Sequence, residues 1–225
     1  MHSLTTMFVS LALLGACAET APPPAEHPSA AQQEKLAKED EQEAQAHLAA
    51  ADHPTRPAKC GSKLGKAQAW ESCWQPTSAA HRVEAQEHLR MAREHRAASK
   101  ALRDAETRAC EGVSQQDLDE SPFSHVDDIL SVEPLGAGGF VDGARVVFAK
   151  SPGLSRSTLQ KIIDCHIARA DAMGHVVPEE AFCPLNPPQV KAVVMEASNG
   201  YVVDVTSDDR PAAEEVLRRA RALKK

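Results

Sequence analysis

Between Ser29 and His53 the chain offers almost nothing large to bury. From Ser29 to His53 it is mostly Ala, Glu, Gln and Lys, with Leu36 and Leu48 as its large apolar side chains. Such a run has high intrinsic helix propensity but no apolar stripe with which to dock. Ser29 and Gln32 have capping-box spacing at its start, and Pro54 ends it. The segment is therefore either partly disordered or laid against a second helix through its alanines. That second helix is predicted from a cap at Thr77 or Ser78 to about Ala109. Its seam (His81, Ala85, His88, Ala92, His95, Ser99, Leu102) alternates steps of four and three, a heptad pattern made of small and polar residues. Residues 17–57 carry a net charge of -5 and residues 58–110 a net charge of +4, which suits an antiparallel helical hairpin over 29–112. Residues 54–77, with Cys60, Cys73, Trp70 and Trp74, form its connecting loop.

His81, His88 and His95 repeat every seven residues, with Met91 between the last two; His47 and His53 sit near the end of the facing helix. Imidazole with thioether suits copper, and imidazole suits zinc, so His81, His88, Met91 and His95 are candidate metal ligands. They do not all serve one ion. Seven residues advance a helix by about 10.5 Å, whereas ligand atoms lie about 2 Å from their metal. Each ion therefore needs further ligands from the opposite helix or from a second copy. The competing reading makes the histidines polar seam residues paired with carboxylates, Glu84 with His88 for example. The arginines of the same helix read as a solvated, ion-paired face, with contact to anionic headgroups as the alternative.

An acidic connector over 113–128 contains Pro122, which forbids a continuing helix, and Phe123, which can pin it to a neighbour. A small α/β domain is predicted over 129–225. It has a strand at 145–149, then a helix capped by Ser155 with Leu159, Ile162, Ile163, His166, Ile167, Ala170 and Met173 on its apolar face. Strands at 190–196 and 201–206 follow, joined by a type I′ turn at Asn199-Gly200. A final helix after Pro211 buries Ala213, Val216, Leu217, Ala220 and Leu223. The fold class is α+β, the domain's order is β-α-β-β-α, and an additional strand at 129–132 is left open. His166 reads as a hydrogen-bonded core residue. The stretch VKAVVMEASNGYVVDVTSDDRPAAEEVLRRARAL resembles a BON domain, a small α/β module of bacterial envelope proteins. The resemblance covers about a seventh of the chain and implies an association with phospholipid surfaces or envelope integrity. The family's closing strand after the last helix has no counterpart here, and the strand before Pro152 is its candidate replacement.

Met7–Ala16 is an apolar run of signal-peptide length, too short to span a bilayer. Leu14-Gly15-Ala16-Cys17 resembles the lipobox of bacterial lipoproteins, although the preceding MHSLTT holds no Lys or Arg. That resemblance implies removal of residues 1–16 as a signal peptide and lipidation of Cys17, with acyl chains (palmitate among them) anchoring the protein. Ala18, where an Asp would hold such proteins at the inner membrane, implies the outer membrane, facing the periplasm. Residues 17–28 then form a disordered Pro-rich tether. In an exported chain the remaining cysteines read as disulfide partners. Chain proximity favours Cys60–Cys73 and Cys165–Cys183, leaving Cys110 buried or bonded to another molecule.

A net charge of -7 argues against a nucleic-acid binder. The Gly136-x-Gly138-Gly139 run lacks the Lys-Ser/Thr ending of a phosphate loop, no nucleophile elbow occurs, and no C-x-x-C pair is present. The expectation is a non-enzymatic, lipid-anchored envelope protein with a structural or adaptor role. Its partners would be the membrane and another envelope protein or a second copy, with no small-molecule substrate and no cofactor. The alternative is periplasmic copper or zinc binding through the hairpin histidines.

Overall fold

The computed structural model describes residues 27–53, 78–176 and 181–224. Cys17, the lipobox, nearly all of the tether and the Cys60–Cys73 pair lie outside these residues. Among the described residues no helix is long and apolar enough to cross a membrane.

Two long helices, α1 (Ala30–Asp52) and α2 (Ser78–Cys110), pack antiparallel. The capping box forms at the start of α1: Ser29 Oγ accepts from the Gln32 amide at 3.1 Å, and Gln32 Oε1 accepts from the Ser29 amide at 2.7 Å. The buried residues of α1 are Ala30, Ala37, Ala44 and Ala51, one every seven, and those of α2 are Ala85, Ala92 and Ser99. Ser99 Oγ donates to the Ala30 carbonyl at 2.8 Å inside this seam. Alanines at heptad spacing let the backbones come close, and Arg96–Glu41 (2.5 Å) and Arg82–Asp52 (3.8 Å) bridge the helices outside. Such exposed pairs help set register more than stability.

A short helix, α3 (Gln115–Asp119), follows, capped by Ser114. Pro122 then opens a one-turn 3-10 helix, and Phe123 is fully buried edge-on against Phe148 with ring centroids 5.4 Å apart. The sheet is antiparallel throughout, in the order β1-β2-β4-β3, from β1 (Ile129–Leu135), β2 (Gly143–Ala149), β3 (Val190–Ala197) and β4 (Gly200–Ser207). The open question about residues 129–132 resolves into a full seven-residue strand, so the order is β-β-α-β-β-α. On one face Val146, Val203 and Val194 stand in register across three strands and are fully buried. Helices α4 (Arg156–Ala172) and α5 (Arg210–Ala222) pack against the sheet. Ser155 caps α4 as expected. Met173, expected on the apolar face of α4, follows the last turn and is largely exposed.

The turn between β3 and β4 differs from the expectation. Ala197 pairs with Gly200, so Ser198 and Asn199 form the loop and Gly200 begins the strand. Neither loop residue has the positive φ that a type I′ turn requires. Gly200, at φ 155°, is needed for another reason: a Cβ there would lie 1.9 Å from the Phe148 carbonyl oxygen.

Helix α4 is buried on two sides, with β3 against one and α2 against the other. This explains why the pairing Cys165–Cys183 is not formed. Cys165 lies fully buried on α4, and its partner is Cys110 in the last turn of α2, with the Cα atoms 4.6 Å apart. Cys183 is also fully buried, but its sulfur lies 3.2 Å from Ser121 Oγ. Nearness along the chain favoured Cys183; packing of α2 on α4 decides for Cys110. Against α3, His166 of α4 donates from Nε2 to the Asp117 carbonyl at 2.7 Å.

Helix α5 starts at Asp209, whose carboxylate accepts from the Ala212 amide at 3.0 Å. Farther along, Glu215 receives two hydrogen bonds of 2.6 Å from Arg218 and one of 2.6 Å from Arg219. The hydrogen bonds from Arg218 act most strongly, burial opposes them, and with Arg219 adding to Arg218 the carboxyl is held down to about 2. A carboxyl lowered by folding contributes stability that is complete above its unfolded value near 4.5 and lost as pH falls towards 2. We expect Glu215→Gln to be less stable than wild type at pH 7. The gap in melting temperature should close as the two are measured at successively lower pH from 5 to 2; a constant gap would refute this.

Candidate metal centre

The seam that brings α1 and α2 together also decides which side chains meet at its edge. His47 lies near the C-terminal end of α1; His81 and Glu84, three residues apart and so on one face, lie near the start of α2. The three converge. His47 Nδ1 is 3.2 Å from His81 Nδ1 and 2.9 Å from Glu84 Oε2, and His81 Nδ1 is 3.5 Å from the same oxygen. Ligand atoms about 2.1 Å from a tetrahedral ion sit about 3.4 Å from one another, so these three separations are those of one face of a coordination tetrahedron. Each residue offers one ligand atom, all within 4.8 Å of one another.

Both imidazoles are partly buried and Glu84 is half-exposed, which leaves the remaining coordination position accessible to water. His47 Nδ1 lies 2.9 Å from Glu84 Oε2, where an Nδ1–H would donate to the carboxylate. A bound cation would take the place of that proton, and the imidazole would then carry its hydrogen on Nε2. Two imidazole nitrogens and one carboxylate oxygen form a set that suits zinc or copper(II).

The expected ligands distribute differently from the sequence reading. His81 belongs to the cluster, but His88 and His95 do not. His88 Nδ1 is bonded to Asp40 Oδ1 at 2.9 Å. His95 Nε2 is 3.6 Å from Asp40 Oδ2, and its Nδ1 bonds Gln33 Oε1 at 2.7 Å. Met91 is partly buried and lies ten residues beyond His81 on α2, about 15 Å along the helix; the exposed His53 also stands outside the cluster. Glu84, paired with His88 in the polar-seam reading, instead serves His47 and His81; the carboxylate facing His88 is Asp40. That reading therefore describes His88 and His95 with Asp40, while His81 shares Glu84 with His47 in a cluster that could also hold a metal ion. The rings of His47 and His88 stack at 5.5 Å with 17° between their planes, so the second group buttresses the first.

The signal that finds His47 is the seven-residue repeat of alanine on both helices. Laying Ala37 and Ala44 antiparallel against Ala92 and Ala85 sets His47 opposite His81, Asp40 opposite His88 and Gln33 opposite His95. No protein family, no curated protein and no solved structure matches the chain, and the reading of the site rests on this geometry.

Proposed function

We propose that the protein binds one divalent transition metal, zinc or copper, through His47, His81 and Glu84 at the edge of its helical pair. The observation that carries this reading is the convergence of three ligand atoms from two helices within 4.8 Å. Asp40 fits the proposal as the group that holds His88 beneath the His47 ring. The lipid anchor at Cys17 and the periplasmic face of the outer membrane belong to the same proposal. In it, the metal is held by a non-enzymatic envelope protein and staples α1 to α2.

The test is metal titration of the full chain by calorimetry, with metal content after dialysis as a second readout. Wild type is expected to take up one zinc or copper ion per chain. His47→Ala and Glu84→Gln are each expected to weaken binding by at least tenfold, while Met91→Leu and His95→Asn leave the stoichiometry at one. A wild-type chain that takes up neither metal, or variants that bind like wild type, would overturn the proposal.

A further inference from the structure

Away from the metal centre, the C-terminal end of α2 and the first half of α4 enclose a groove of about 380 Å³. Its polar lining is Arg108 from α2 with Arg156, Ser157, Gln160, Lys161 and Asp164 from α4. The charges are uneven: three cations against one carboxylate, in a chain whose net charge is -7.

These cations are also unlike most of the chain's arginines. Arg82, Arg90, Arg96, Arg145, Arg169, Arg210, Arg218 and Arg219 each lie beside a carboxylate. Among the described residues, Arg108, Arg156 and Lys161 make no ion pair within 4.0 Å, although Asp104, one helical turn before Arg108, has its carboxyl held below the usual range by Lys100 and, in smaller part, by Arg108; Arg156 makes one long bond of 3.5 Å to the Val194 carbonyl. All three are exposed and line one concavity. The single acid, Asp164, is engaged: its Oδ1 accepts from Gln160 Nε2 at 2.8 Å. The same Gln160 nitrogen donates to the Ala192 carbonyl at 3.0 Å, and Gln160 Oε1 accepts from the Val194 amide at 2.7 Å, so α4 is fixed against β3. The Cys110–Cys165 disulfide lies beside the groove and fixes α2 against α4. The two walls carrying the cations are thus held in place by a covalent bond and by backbone hydrogen bonds.

We infer that this groove binds a phosphate group, with Arg108, Arg156 and Lys161 supplying the charge and the Ser157 hydroxyl a further donor. A phosphate monoester offers up to two negative charges and several acceptor oxygens, matching the two guanidinium forks and the point charge of the ammonium. A phospholipid headgroup such as that of phosphatidylglycerol, a phosphodiester with one negative charge, offers the same acceptor oxygens with less charge, so what the two sources share is the phosphate group itself.

The test uses the full chain and three probes: inorganic phosphate, glycerol 3-phosphate, and vesicles of phosphatidylglycerol with phosphatidylcholine vesicles as reference. Arg156→Gln/Lys161→Gln is compared with Arg93→Gln/Arg103→Gln, which removes the same charge from α2 outside the groove. Glycerol 3-phosphate, followed by chemical-shift titration, is expected to bind wild type, with affinity falling at least fivefold in the groove variant and less than twofold in the control variant. Binding of phosphatidylglycerol vesicles with the same variant dependence assigns the phosphate to a membrane headgroup; binding of the soluble ester without vesicles assigns it to a free phosphate compound. Equal weakening in the two variants, or no binding of any probe, would refute the site. Unchanged melting temperatures in both variants separate loss of binding from loss of fold.

Discussion

Replacing Cys110 and Cys165 together by alanine is expected to destabilise the protein by about 4 kcal/mol, a fall in melting temperature of about 10 °C. The disulfide closes a loop across a sequence separation of 55, and the chain entropy it removes from the unfolded state scales with the logarithm of that length. Its position makes the effect specific. The bridge joins the last turn of α2 to the middle of α4, so it fastens the helical pair to the sheet domain. The metal centre lies at the other end of α2, about 40 Å away by the helical rise from residue 81 to residue 110. Zinc or copper affinity of the double variant, measured well below its melting temperature, is therefore expected to stay within about twofold of wild type. A large loss of affinity would show that the two ends of α2 are coupled, contrary to this account; an unchanged melting temperature would show that packing alone joins the layers.

Ala44→Leu is expected to have the opposite pattern. Ala44 is fully buried in the seam, three residues before His47. The added methylenes have no space between two closely approaching backbones, and overpacking of this kind costs about 1–3 kcal/mol. Relief comes from separating α1 and α2, which draws His47 away from His81 and Glu84. Metal affinity should fall by about ten- to a hundredfold, as the strain of about 1–3 kcal/mol allows, while the sheet domain keeps its structure. Ala44→Gly supplies the comparison: it weakens α1 by about 1 kcal/mol through backbone entropy but preserves close approach, and it should retain metal binding within about threefold. If Ala44→Leu bound metal like wild type, the seam would not be what sets the site.

The parts of this fold legible in the sequence are those governed by neighbours in the chain. Ser29 with Gln32 and Ser155 ahead of Thr158 cap helices because their partners are three residues away. Tyr201, Val203 and Val205 alternate, and alternation alone places them on the buried face of β4. The α2 seam and the opposite charges of residues 17–57 and 58–110 point to the hairpin, while the alanine repeat of α1 that fixes its register is one of the long-range features. The features that sequence reading assigned otherwise depend on contacts between distant segments. Cys165 has Cys183 nearer in sequence and Cys110 nearer in space, because α2 lies across α4. Glu84 is within a helical turn of both His81 and His88, and only the position of His47 on α1 draws it to the first. Gly200 carries the mark of a turn, but its need for a missing side chain arises from β2, where the Phe148 carbonyl crowds it.

The bridge between α2 and α4 also bears on the order of assembly. A chain made from its N-terminus presents α1 and α2 before the strands and helix that receive them exist. The thiol of Cys110 must wait for Cys165, while Cys60 and Cys73 have already emerged. Wrong pairings formed in that interval would have to be undone by thiol–disulfide exchange, on a timescale of seconds to hours. Whatever the order in which the layers form, the bridge at the end of α2 cannot close until α4 has been made, which makes its correct oxidation dependent on the arrival of Cys165.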